Sequence, residues 1–167
     1  MHRYKTWNGP APTIAAQAKV TTGTVIKTLL QLATPPTRQL QVISWGFSLD
    51  AVPAAPGEME LIQTDVGATV TAHVASGVQP LDPNAPASLL TLGVAATGYT
   101  ATAEGTITAT RVFDADLIPG TAGSTDLNYA YQFMPDERPI IAVSKFLRVR
   151  STFTAAVNAT CWVVWDE

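Results

Sequence analysis

The sequence predicts an all-β protein: a single-domain β-sandwich of jelly-roll type, about eight strands, with an extended N-terminal arm. Three observations carry that expectation. Charged residues make up 14% of the 167, against roughly a quarter in an average soluble domain, which excludes coiled coil and charge-rich disorder. Eleven Gly and twelve Pro are spread along the chain and punctuate it into short segments. Between them Thr, Val and Ile recur with period two rather than 3.6. A chain of this length buries roughly 70% of its unfolded surface in one domain, so no disulfide or metal is needed to hold it.

Residues 1–22 read as the arm, and residues 23–167 as the sandwich. In the arm Tyr4 and Trp7 sit beside Arg3 and Lys5, followed by Asn8-Gly9-Pro10-Ala11-Pro12, whose prolines hold the backbone extended. Aromatic rings on a terminus have to dock. Either they cover an edge of the chain's own sandwich or they reach a neighbour, which makes Arg3, Tyr4, Lys5 and Trp7 the candidate partner-binding residues. Residues 25–31 form a β-branched strand that closes at Pro35-Pro36. Residues 40–49 form the clearest strand of the first half. Its alternation slips phase at Val42-Ile43, the mark of a bulge or of a strand bending between sheets. Residues 58–63 alternate Glu58 and Glu60 outward with Met59 and Leu61 inward.

Residues 65–104 carry the weakest pattern. A strand fits 69–74, a rigid loop 80–86, and a short turn or strand 88–92. So long and apolar a connection has to lie across a neighbouring subunit or cover one sheet. Alternation returns over 105–113. A polar loop spans 119–128, an aromatic strand follows at 129–133, and a long strand over 140–153 breaks near Ser144-Lys145. Residues 161–165 are apolar on both faces, as a central strand is. The expected partner of that strand is 147–153, in a hairpin turning at 155–158.

Charge is segregated along the chain. The first 49 residues hold five cations and no acid, net +5, while the remaining 118 hold five cations and all 13 acids, net −8. Such a split suggests that the N-terminal part meets an acidic surface, on another subunit or another protein. It is no basic run, so direct nucleic-acid binding is not expected. The start lacks the apolar stretch of a secretory signal, and no run reaches transmembrane length. No membrane partner is expected, and synthesis is placed in the cytoplasm.

Chemistry is sparse. The single Cys161 excludes a disulfide within the chain and any multi-Cys metal site, and it reads as a small core hydrophobe rather than the nucleophile of a Cys161-His73 pair. Asp114 and Asp116 share a strand face near Asp126 and Asp136-Glu137, without the Gly-spaced loop of a Ca²⁺ site. Arg148 and Arg150 share a face and read either as a solvated row paired with Glu58 and Glu60, or with Asp166 and Glu167, or as an intersubunit ion-pair row. No catalytic residue, metal site or cofactor is assigned, and an enzyme is not expected.

Residues 140–150 (IIAVSKFLRVR), the closing residues 156–165 (AVNATCWVVW) and the strand over 23–32 behind a proline-broken arm resemble the small all-β capsid decoration, or cement, proteins of tailed double-stranded DNA bacteriophages of actinobacterial hosts. The resemblance implies a non-enzymatic structural protein on the outer face of the virion, a homotrimer bound to the major capsid protein shell. An alternative is a carbohydrate- or receptor-binding sandwich of a phage tail or fibre, for which Trp7, Tyr99, Tyr129 and Tyr131 are the candidate aromatic residues.

Overall fold

The computed structural model describes residues 2–11, 13–120 and 127–167. Met1 and Pro12 of the expected arm, and Asp126 beside the Asp114 pair, lie outside them. The described residues form thirteen strands and one 3-10 turn, the strands packed as two antiparallel sheets in a β-sandwich. Sheet A holds β1 (Arg3–Trp7), β2 (Val20–Thr21), β4 (Leu40–Leu49), β7 (Val78–Pro80), β10 (Asn128–Gln132), β11 (Ile140–Ile141) and β13 (Asn158–Asp166). Its order is β10-β4-β13-β1-β7, with β11 on β4 and β2 on β13. Sheet B holds β3 (Lys27–Ala33), β5 (Gly57–Thr64), β6 (Thr69–Ala72), β8 (Gly98–Ala103), β9 (Thr110–Ile118) and β12 (Phe146–Phe153). It runs β6-β8-β3-β12-β5-β9. The count exceeds the expected eight because β2, β7 and β11 are only two or three residues long, β1 lies in the expected arm and β8 in the weakly patterned stretch.

The core lies between the sheets. Leu30, Leu32, Met59, Leu61, Leu147 and Val149 from sheet B meet Trp45, Cys161, Val163 and Trp165 from sheet A, all fully buried. Met59 and Leu61 therefore point inward as their alternation predicts. The phase slip in β4 is a bulge: opposite β13, Val164 faces Ser44 and Trp165 faces Val42, leaving Ile43 as the extra residue. The bulge rotates the strand by one position, so Val42 and Trp45 both reach the core.

Two expectations about connectivity change. β13 is central, between β4 and β1, but it forms no hairpin with β12. β12 pairs with β3 and β5 in the other sheet, so residues 154–157 carry the chain across the sandwich. The break near Ser144 is also a crossing, from β11 in sheet A to β12 in sheet B, with Ser144 at φ 54°. Alternation shows which side chains share a face. It carries no information on which sheet receives the strand.

Residues 65–104 are divided between the sheets. β6 and β8 extend sheet B, β7 joins β1 in sheet A, and the turns that carry Ala68 and Ala96 fold over the outer face of sheet B. The Gln31 amide donates to Ala96 O at 2.6 Å and to Ala68 O at 3.3 Å, and its oxygen accepts from Ala68 N at 2.7 Å. At the opposite flank Asp114 of β9 ties the sheets together. Its Oδ2 accepts from Trp45 Nε1 at 2.8 Å and from the Tyr129 hydroxyl at 2.7 Å. Asp114 is thus a structural carboxylate between sheets rather than half of a cation site. Asp114→Ala is expected to cost about 2–4 kcal/mol, since it orphans the indole N–H of fully buried Trp45 and a tyrosine hydroxyl together. Urea unfolding measures it.

Candidate functional site

The four N-terminal candidates lie on β1, and β1 is inside sheet A. Arg3 pairs with Asp166, Tyr4 with Trp165, Lys5 with Val164, Thr6 with Val163 and Trp7 with Trp162, while β7 closes the other side. The expected arm over residues 1–22 thus gives way to an integral strand over its first third. The physical reason is the edge of β13. That strand is apolar on both faces, and without β1 its backbone groups would face solvent unpaired. The Asn8 side chain then continues the ladder past the strand's end, donating to Ala159 O at 3.0 Å and accepting from Cys161 N at 2.9 Å.

Alternation divides the four side chains between two faces. Tyr4 points into the core, 1% exposed, stacked on Trp165 at 5.9 Å between centroids, and its hydroxyl donates to Pro86 O at 3.0 Å. It takes no part in any surface. Lys5 and Trp7 point out. The Lys5 ammonium sits 4.3 Å from the Trp7 ring centroid and 4.4 Å from that of Trp162; burial lowers its pKa below the usual lysine value. The two indoles are 6.3 Å apart, tilted by 59°. Arg3, at the strand's exposed end, faces Asp166 at 3.6 Å, and Arg138 approaches the same carboxylate at 3.8 Å. Lys19 reaches Asp50 at 3.4 Å. The acidic surface that Arg3 and Lys19 meet belongs to this chain itself.

Trp162 is the residue that sequence reasoning did not single out. The signal was present: placing Cys161, Val163 and Trp165 in the core leaves Trp162 on the opposite face. Strand register builds the surface around it. Asn128, Ser48 and Thr160 lie in one row across β10, β4 and β13; Ala130, Gly46, Trp162 and Trp7 form the next row. The Trp162 ring lies over Gly46, where an added Cβ would meet ring carbons at 2.8 and 2.9 Å and Tyr129 O at 2.5 Å. Only glycine admits that approach. The result is a groove of about 350 Å³ lined by Trp7, Trp162, Ser48, Asn128 and Thr160 among others.

Searches against family models, curated proteins and solved structures match nothing to this chain. The surface has to be read from its own chemistry.

The remaining aromatic candidates serve the interior or its rim. Tyr129 stacks on Phe47 at 5.5 Å and gives its hydroxyl to Asp114; burial first, and then the Asp114 carboxylate, push its pKa up. Tyr99 packs on His73 at 4.8 Å. Tyr131 meets Phe133 edge-on and is 39% exposed. Among the described residues no group of three or more His, Cys, Asp or Glu is placed to hold a metal ion, and no helix is long and apolar enough to cross a membrane.

Cys161 is fully buried in the core, and burial pushes its thiol pKa far up, the reverse of what a nucleophile requires. His73 is engaged elsewhere. Its Nε2 lies 2.9 Å from Trp7 O and 3.2 Å from the Thr6 hydroxyl, and that hydroxyl donates its proton to Gly77 O at 2.7 Å. Both neighbours of Nε2 are therefore acceptors, which assigns the proton to Nε2 in the neutral ring. Burial lowers the His73 pKa, opposed in part by the Trp7 carbonyl. A depressed folded-state pKa means that the unfolded chain takes up the proton first. The contribution is complete above about pH 6.5 and declines as pH falls below it. Urea midpoints at about pH 7.5 and 5.5 should show that decline in the intact chain, and His73→Gln should reduce it.

Proposed function

We propose that the protein is a non-enzymatic structural protein of a virion: a decoration protein that assembles as a homotrimer and binds the outer surface of the major capsid protein shell of a tailed bacteriophage. The observation that carries this reading is the outer margin of sheet B. Among the described residues β9 pairs only with β5. Along this edge strand Val112 is 60% exposed and Leu117 76%, and register places both on the sheet's outer face, opposite Ile62 and Glu58. An apolar stripe on an edge strand is what a protein leaves for another protein to cover. The sandwich supplies the rigid body, and repetition over a shell makes weak individual contacts sufficient. Sheet-crossing connections at β3–β4, β4–β5 and β12–β13 support a Greek-key sandwich, the broader class to which the jelly roll belongs.

With β1 built into the sheet, shell binding in this proposal falls to the folded surface and not to a terminal arm. The test is cosedimentation with emptied capsids of actinobacterial tailed phages that have been stripped of their own decoration protein. The intact chain should bind to saturation, and a Val112→Lys, Leu117→Glu variant, which breaks the contact between copies along β9, should lose binding together with its multivalency. Failure of the intact chain to sediment with any such shell would overturn the proposal.

A further inference from the structure

We infer that the outer face of sheet A is a binding site for a neutral pyranose of a glycan, with Trp162 as its aromatic wall. On the outer face of sheet A, Ala130 raises only a methyl, while the Trp162 indole lies over its neighbour Gly46. The groove left beside that indole, about 350 Å³, is at the small end of ligand sites and suits one sugar ring.

Three hydrogen-bonding side chains border that groove in a single row, Asn128, Ser48 and Thr160. None of the three makes a side-chain hydrogen bond to another described residue. Together they offer an amide and two hydroxyls, each able to donate and accept. The wall is the indole of Trp162, held in place from two sides by Gly46 beneath it and by Lys5 and Trp7 beside it. Its position is fixed before any ligand arrives, which lowers the ordering cost of binding.

A sugar ring has an apolar C–H face and an equatorial rim of hydroxyls. An aromatic face beside amide and hydroxyl groups that no other described residue engages matches both halves. The groove holds no carboxylate among its lining residues, and the nearby Lys5 ammonium is already occupied by two rings. A neutral sugar fits this better than a charged ligand does. The site lies on the sheet opposite the β9 stripe, so a protein docked through sheet B would leave it open to solvent.

The experiment is a tryptophan-fluorescence titration of the intact chain with neutral oligosaccharides of glucose, mannose, galactose, arabinose and N-acetylglucosamine. Trp45 and Trp165 are fully buried, so a ligand-dependent shift reports on Trp7 and Trp162. At least one sugar should give a saturable shift. Trp162→Ala should weaken that binding by at least about tenfold. The double variant Asn128→Ala, Thr160→Ala, which touches no core residue, should weaken it by about tenfold as well, while Tyr131→Ala should leave it unchanged. Silence across the whole panel overturns the inference, as does unaltered binding by the folded double variant. If Trp162→Ala does not fold, the double variant decides.

Discussion

A chain lacking residues 1–22 is expected not to reach the native fold. The deletion removes all of β1, and with it the partner of β13 along five residues. Tyr4 is the largest single loss. A fully buried aromatic side chain replaced by Ala costs about 3–5 kcal/mol, and Tyr4 also gives up its stacking on Trp165 and its bond to Pro86 O. The whole stability of a domain is about 5–15 kcal/mol. Loss of Thr6, Asn8 and the β1 ladder comes on top, so the deletion exceeds what the remainder can carry. Tyr4→Ala alone should lower the unfolding free energy measured in urea by the amount just given, and Tyr4→Phe by only about 0.5–1.5 kcal/mol, the worth of one hydrogen bond. A truncated chain with the far-ultraviolet dichroism and urea midpoint of the intact one would mean that residues 3–7 are an arm after all.

Arg148→Ala is expected to cost about 3–5 kcal/mol, the range for removing one member of a buried ion pair. Arg148 is fully buried on the outer face of sheet B, beneath the turns that carry Val66 and Glu104. Its Nη1 donates to Glu104 Oε2 at 3.0 Å and to Glu104 O at 3.2 Å, and its Nη2 donates to Val66 O. Glu104 in turn accepts from the Thr28 amide and hydroxyl, both at 2.6 Å. The guanidinium is therefore the post on which two turns and β3 are hung. Arg150, two positions along the same strand face, is bonded to Glu60 alone, with 16% and 11% of the two side chains exposed. Arg150→Ala should cost less than Arg148→Ala, about 1.5–3 kcal/mol, since it gives up one charged hydrogen bond where Arg148 gives up several. Equal midpoints for the two variants in urea would contradict the assignment of different roles.

Those two arginines show what a sequence can and cannot disclose. Their shared face follows from alternation, as do the inward Met59 and Leu61, the bulge at Ile43 and the central place of β13. What separates Arg148 from Arg150 is a cover contributed by Val66 and Glu104, over 40 residues away in sequence, and periodicity says nothing about contacts of that range. The hairpin expected between β12 and β13 failed for a related reason: two adjacent alternating segments look the same whether they pair in one sheet or face each other across a core. β1 was hidden by its length. Five residues ahead of Asn8-Gly9-Pro10 show too little pattern to distinguish a docked strand from an arm, and only the two-faced apolar character of β13 called for a second partner. Part of the charge split read as a sign of another protein is answered within the chain, by Arg3 with Asp166 and Lys19 with Asp50. The surface around Trp162 became visible only once register had brought β10, β4, β13 and β1 side by side.

The measurement that bears most directly on the decoration reading is the solution mass of the intact chain by light scattering after size exclusion, alongside the Val112→Lys, Leu117→Glu variant. The account predicts a particle of three 17.7 kDa chains for the intact protein and a folded single chain for the variant. A monodisperse single chain for the intact protein at every concentration tried would contradict it, and would leave the Trp162 groove as the surface by which this sandwich acts.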